Sequence, residues 1–294
     1  MLRRFVACAF ALPLLSLAAP APRPNLLVST DWLSQHLKDA NVVVIEVSRD
    51  SKAYDAGHIP GSRFVALGDI TVTRDGILNE LPPAADLKAV FEKAGVSDDS
   101  RVILVGDVSP LFATRAFFTL DYLGHGDQTA MLDGGLPKWK MESRPTDTNP
   151  APAKMGRFTP RLHPEVLATK ESVKDVAKAG SAVLVDARPA QDFTGATAAN
   201  AEIPRPGHIP GAVNLFWQQG QVNKDDMSLL SETQLRNMYE AAGVKSDKPV
   251  VTYCNTGMQA SQSYFTLKYL GYDVKMYDGS FSEWSEAKET EVQK

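Results

Sequence analysis

Four segments of this 294-residue chain recur in the same order about 150 residues downstream, so whatever fold forms must be built twice. Val42-Val43-Val44-Ile45-Glu46-Val47-Ser48-Arg49 resembles Ala182-Val183-Leu184-Val185-Asp186-Ala187-Arg188. Gly57-His58-Ile59-Pro60-Gly61 returns as Gly207-His208-Ile209-Pro210-Gly211, and Phe118-Thr119-Leu120-Asp121-Tyr122-Leu123-Gly124 as Phe265-Thr266-Leu267-Lys268-Tyr269-Leu270-Gly271. Last, Leu132-Asp133-Gly134-Gly135 with Trp139 matches Tyr277-Asp278-Gly279-Ser280 with Trp284. A period this long, present only twice, means a duplicated domain and excludes a solenoid.

Each unit alternates short Val/Ile/Leu runs with helical patterns. That alternation predicts an α/β fold, each unit a mostly parallel sheet with helices on both faces. In the second unit, 182–185 and 250–253 read as strands, and 258–269 as a helix that Gly271 stops. Helices are also predicted over 233–242, ended by Gly243, and over 85–94, ended by Gly95. Pro145, Pro150, Pro152, Pro160 and Pro164 fall in a stretch without periodicity, which predicts an extended surface linker over 146–163. The units then occupy 25–145 and 164–290. With 44% hydrophobic and 22% charged residues, the chain has apolar material for two cores. Its formal charge is −4 and no Lys/Arg cluster stands out, which argues against nucleic acid as a partner.

Residues 1–22 read as a secretory leader: Arg3 and Arg4, an apolar run over 5–17, then small residues at Ser16, Ala18, Ala19 and Ala21. Cleavage after Ala18 suits a small-x-small rule. A retained anchor is one alternative, opposed by an apolar run too short to span a bilayer comfortably. A lipoprotein through Cys8 is another, opposed by the few apolar residues ahead of that cysteine. The expectation is an exported, periplasmic protein with no membrane attachment once the leader is gone.

Removal of the leader leaves Cys254 as the single cysteine, unable to form an internal disulfide in an oxidising space. It follows the strand 249–253 and opens the loop Cys254-Asn255-Thr256-Gly257-Met258-Gln259 ahead of the helix. Free N–H groups in a helix's first turn, together with the helix dipole, favour an anion, so the thiol pKa is expected to be lowered. The competing reading is a small core hydrophobe. Position favours function, since α/β sheets hold ligands at the carboxyl ends of their strands.

Alignment of the Tyr-Leu-Gly ends places Asp107 opposite Cys254. The first unit's loop, Asp107-Val108-Ser109-Pro110-Leu111-Phe112, has no thiol, and Pro110 lacks an N–H where Gly257 has one. That unit is expected to be chemically silent; the rival is a catalytic Asp107. His58 and His208 recur in both units, so both are read as parts of a structural turn, as are the pairs Asp133/Trp139 and Asp278/Trp284. Arg188 is either an anion-binding group or the partner of Asp186, with Arg49 in the matching place of unit one.

Together these residues resemble the rhodanese family in its tandem, two-domain form, which includes thiosulfate and 3-mercaptopyruvate sulfurtransferases. The resemblance spans roughly residues 28–285. It implies that Cys254 is the nucleophile, taking a sulfane sulfur from a donor as a persulfide and passing it to cyanide or a thiol. It also implies that the N–H groups of Asn255, Thr256, Gly257, Met258 and Gln259 cradle the anion, with no metal or organic cofactor. A protein acceptor for the sulfur is a further implied partner.

The chain departs from the family where a second substrate arginine often follows the Asp-Ala-Arg motif: Gln191-Asp192 stands there. Arg205 is the candidate to replace that charge. Asn255 and Thr256 are neutral where thiosulfate enzymes commonly carry cations. The loop of mercaptopyruvate enzymes is not matched closely either. Thiosulfate is the expected donor because an exported enzyme meets inorganic sulfur anions. Among rivals, a cysteine phosphatase or arsenate reductase needs an arginine where Ala260 stands, and a thioredoxin-like enzyme needs a second cysteine. A Cys/His hydrolase finds no signature among His36, His58, His125, His163 and His208. A sulfur carrier that does not turn over is the rival outside enzymology.

Overall fold

The structure is a computed structural model, and it describes residues 19–152, 154–223 and 226–294. The leader assignment therefore falls largely outside the described residues. Among those described, no helix is long and apolar enough to cross a membrane.

Unit one runs β1 (Leu27–Val28), α1 (Thr30–His36), β2 (Val42–Ser48), α2 (Lys52–Ala56), β3 (Arg63–Ala66), β4 (Val72–Arg74), β5 (Ile77–Glu80), α3 (Ala84–Lys93), β6 (Arg101–Gly106), α4 (Pro110–Tyr122), β7 (Thr129–Leu132) and α5 (Gly135–Met141). Unit two follows with β8 (Leu167–Ala168), α6 (Lys170–Ala179), β9 (Val183–Asp186), α7 (Ala190–Phe193), β10 (Val213–Asn214), α8 (Glu232–Ala241), β11 (Val250–Tyr253), α9 (Met258–Tyr269), β12 (Val274–Tyr277) and α10 (Ser280–Glu286).

The first sheet has the order β1-β7-β6-β2-β3, and the second, read from its other edge, β8-β12-β11-β9-β10. All pairings in both are parallel. The central strands β6 and β11 are buried almost throughout, as strands covered on both faces must be. Among the described strands, only β4 and β5 pair antiparallel, as a hairpin apart from the sheet.

The registers correct one correspondence. Val185 pairs with Val213 and Ile45 with Arg63, so Asp186 answers to Glu46 and Arg188 to Ser48, not to Arg49. Arg49 instead lies over the Phe112 ring.

The repeated Phe-Thr-Leu helices meet each other. Phe117 of α4 packs edge-on to Phe265 of α9, and Phe118 to Tyr264, with centroids 4.9 and 5.1 Å apart. Because 117 and 264 are equivalent positions, as are 118 and 265, the contact is self-complementary, like the interface of a two-fold dimer. One apolar core runs through both units along this seam.

The lead-in to each unit crosses to the other. Arg161 N donates to Leu123 O and His163 N to Tyr122 O, so the approach to unit two lies on unit one. Reciprocally, Arg23 N donates to Tyr269 O, and Arg236 Nη2 to Pro20 O. The 146–163 segment is thus held more tightly than a surface linker: Asp147 bridges to His58, and Phe158 is buried edge-on to His125.

Gly271, at φ +85°, lets the first lead-in approach, since a Cβ there meets Ala21 O at 2.0 Å. Gly271→Ala adds left-handed strain of about 1–2 kcal/mol to that clash. A fall of about 5 °C in Tm is expected by calorimetry.

Candidate active site

Cys254 directly follows β11 and is 1% exposed. Its N–H donates to Ser280 Oγ at 3.2 Å, and its carbonyl accepts from Phe281 N at 2.8 Å. Asn255 O accepts from Ser282 N, so both sides of the loop are pinned to the start of α10. Gly257 caps α9 with φ +82°. A Cβ there stands 3.0 Å from Asp278 Oδ1 and 3.1 Å from Arg115 Nη1, a position that only glycine suits.

Two effects oppose each other at the sulfur. Burial pushes the Cys254 thiol up, and hydrogen bonds from the N–H groups of Ala260, Thr256 and Gln259 push it down; Asp186 adds to the rise. Burial wins, and the net direction is upward from 9.0. The lowered pKa expected from the helix terminus alone is corrected: the cradle is present, but a nearly inaccessible sulfur has lost water as well. Alkylation of Cys254 by iodoacetamide is therefore expected to be still climbing with pH at 9. A rate that levels off at neutral pH contradicts this balance.

The N–H groups identified on the sulfur include two of those expected and one more. Thr256 and Gln259 were expected; Ala260, one residue further into the helix, was not. It could have been found, because the first four N–H groups of any helix lack partners within it. Asn255 presents its side chain to Arg188, Gly257 shapes the turn, and Met258 packs on the core. Gln259 Oε1 is buried without a protein partner.

Arg188 lies beside the thiol, on the neighbouring strand's continuation. It is 1% exposed, and Asp186 receives its Nη2 at 2.6 Å and its Nε at 2.9 Å. Nη2 also donates to Gly207 O at 2.7 Å, and Nη1 to Asn255 Oδ1 at 3.3 Å. Its guanidinium carbon lies 4.0 Å over the Phe281 ring. Burial pulls its pKa down, but Asp186 more than offsets that and leaves it raised. The guanidinium thus ties the strand end, the Gly-His-Ile-Pro-Gly turn and the cysteine loop together.

Arg205 is not brought to the sulfur. Its Nε donates to Ser285 O, Nη1 to Thr290 O and Nη2 to Trp284 O, at 2.7, 2.7 and 2.9 Å. A cation at a helix C-terminus satisfies orphan carbonyls there, and that is where its donors go. Asp192 accepts from the Thr197 hydroxyl and, with Asn200, Ile203, Arg188 and Asn255, lines a small cavity beside the loop. His208 stacks on Phe193, and His58 on Tyr54; both sit in short bridges, as structural turns should.

Unit one reaches into this site. Arg115 of α4, fully buried, pairs with Asp278, whose other oxygen accepts from Leu81 N at 2.9 Å. Asn79 Nδ2 donates to Thr256 Oγ1 at 2.9 Å. The mirror arrangement exists at the other end: Asp133 Oδ1 accepts from Leu229 N, also at 2.9 Å. There, however, Gln262 replaces Arg115 and Asp107 replaces the thiol. Asp107 accepts from the neighbouring Val108 N.

A model of the rhodanese-like domain matches residues 29–142 and again 169–287. The sulfur carrier protein TtuD of Thermus thermophilus is 38% identical over 89% of this chain and 94% of its own. A protein of Mycolicibacterium smegmatis named "Putative thiosulfate sulfurtransferase" is 34% identical, over 89% of this chain and 95% of that one. Among solved structures, the anaerobic ergothioneine biosynthesis enzyme of Chlorobium limicola superposes with a TM-score of 0.81 at 21% identity. That match covers 92% of this chain and 70% of the enzyme, and it speaks to the fold alone.

Proposed function

This chain belongs to the rhodanese-like domain family, in a form that carries the domain twice, and on that premise we propose a thiosulfate sulfurtransferase working through a persulfide on Cys254. The observation that carries the reading is Cys254 at the carboxyl end of the central strand, opening the loop into α9, where the N–H groups of Ala260, Thr256 and Gln259 favour its thiolate against burial. Relatives named for thiosulfate sulfur transfer support the donor.

In the first half-reaction the Cys254 thiolate attacks the outer sulfur of thiosulfate. The S–S bond of the donor breaks, and sulfite leaves with the electron pair. The new terminal sulfur carries the negative charge, and a ring of N–H donors stabilises an anion there as an oxyanion hole does. In the second half, cyanide or a thiolate attacks that terminal sulfur, forming thiocyanate or a new persulfide and returning the Cys254 thiolate. Arg188 holds the loop and lends a positive field without binding the donor directly. We place the mature protein outside the cytoplasm, in the periplasm, after cleavage behind Ala18, which keeps Pro20 and Ala21 against unit two.

A second reading has one observation behind it: the 38% identical relative is named as a sulfur carrier. In that reading the persulfide passes to a protein acceptor. Steady-state rates with thiosulfate and with 3-mercaptopyruvate, cyanide being the acceptor, test the proposal alongside the intact mass of the protein. The expected result is multiple turnover, a higher kcat/KM for thiosulfate, and one added sulfur on Cys254. A single stoichiometric transfer supports the carrier instead, and preference for mercaptopyruvate replaces the donor.

A further inference from the structure

The hairpin of β4 and β5 belongs to the unit without a thiol, yet its Asn79 touches the cysteine loop of the other unit. Asn79 has φ +62°, a left-handed backbone that side chains other than glycine adopt at a cost. It lies where the hairpin register shifts between Val72/Glu80 and Arg74/Ile77, so the second strand carries one residue more than the first. Bulges of this kind turn a side chain away from the direction that the pleat dictates. Asparagine tolerates the left-handed region better than most residues, and only its amide can also reach across and donate. Local strain held beside a reactive group suggests a use beyond the hairpin itself.

The hairpin is fastened at both sides of Asn79. Arg74 pairs with Glu80 at 3.0 Å and donates to Leu81 O at 2.8 Å, while Leu81 N donates to Asp278. The molecule also contains its own control. Leu229 occupies the place of Leu81 on the other unit, which puts Met227 in the place of Asn79. Met227 is buried and abuts Gly135, near the loop that has no cysteine. An amide donor stands over the thiol loop, and an apolar side chain over the silent one.

We propose that Asn79 is a positioning residue for sulfur transfer, supplied to the thiol site by the unit that has none. Thr256 stands two residues after Cys254 in the loop, its N–H favours the Cys254 thiolate, and its hydroxyl oxygen accepts from Asn79. With that oxygen used as an acceptor from Asn79, the hydroxyl proton is free for donation at the half-buried mouth of the loop. The acceptor there is the outer sulfur of the persulfide or the departing anion. The inference rests on Cys254 as the sulfur-bearing group.

The test is a double-mutant cycle between Asn79 and Thr256, read by thiosulfate:cyanide turnover and, independently, by the rate of Cys254 alkylation with iodoacetamide. Asn79→Gly keeps the left-handed backbone and removes only the amide. It is expected to lower kcat about tenfold and alkylation about threefold, with KM and Tm unchanged. Asn79→Asp presents acceptors only, turns the Thr256 hydroxyl back toward itself, and is expected to lose about 100-fold in kcat. In a Thr256→Ala background, Asn79→Gly should change neither rate further. Equal losses in both backgrounds, or wild-type rates for Asn79→Gly in both assays, overturn the inference. A wild-type protein that moves no sulfur overturns the proposed function instead, and the alkylation cycle still decides the role of Asn79.

Discussion

Cys254→Ser is expected to bring sulfur transfer down to background, a loss of at least about 10⁴-fold. The hydroxyl is nearly isosteric and can still receive the N–H groups of Thr256, Gln259 and Ala260, so the loop has reason to keep its shape. What it lacks is an accessible anion and the affinity of sulfur for sulfur: an alkoxide at this site neither forms near neutral pH nor captures a sulfane atom. A fold indistinguishable by circular dichroism, with Tm shifted by about 2 °C or less, is the companion result. The intact mass should show no added sulfur after thiosulfate treatment. Retained turnover would move the reaction away from the only free cysteine among the described residues.

The second large effect is one of stability rather than affinity. Arg188→Ala strips the partner from Asp186, whose side chain is 0% exposed, and also leaves Gly207 O and Asn255 Oδ1 without their donor. Removing one half of a buried ion pair costs about 3–5 kcal/mol, since the remaining charge loses its counter-ion without gaining water; Asp186 keeps only the backbone N–H of position 188 from this residue. For a chain of this size that is a drop of about 10 °C in Tm. A combined Asp186→Leu, Arg188→Met variant removes both charges and should recover most of that loss. If Arg188 were instead a direct ligand for the donor, the single variant would raise KM and leave Tm in place. Thermal melts and a KM measurement on the same preparation separate the two.

The balance at Cys254 combines a local pattern with a burial that no local pattern sets. A strand running into a six-residue loop and a helix was enough to locate the thiol and two of its three identified donors, Thr256 and Gln259. The direction of its pKa depended on burial, which no spacing of residues reveals. Arg188 was recognisable as a cation beside the loop, but whether it faces a ligand or Asp186 depends on rotamers and neighbours. Arg205 illustrates the same limit: the side chain points to the end of α10, a partner some 80 residues away that local pattern does not announce.

Asn79 and Arg115 were missed altogether, because both belong to the unit read as silent. One signal existed. The duplication aligns Arg115 with Gln262 and Asn79 with Met227, so the copies differ where each faces the other's loop. A change confined to one of two otherwise similar copies marks a position under a separate demand.

What the chain determined by itself is its architecture and the place of its thiol. Hydrophobic periodicity, turn glycines and repetition are local properties, and each unit needs little else to choose a parallel sheet with helices on both faces. Tertiary structure decided how deeply the sulfur is buried and which side chains stand around its loop. Its environment is assembled from both copies, through an apolar seam between α4 and α9 and a hairpin crossing from one unit to the other. Contacts over such sequence separations arise from packing, where burial and charge pairing are settled jointly by residues that share no local pattern.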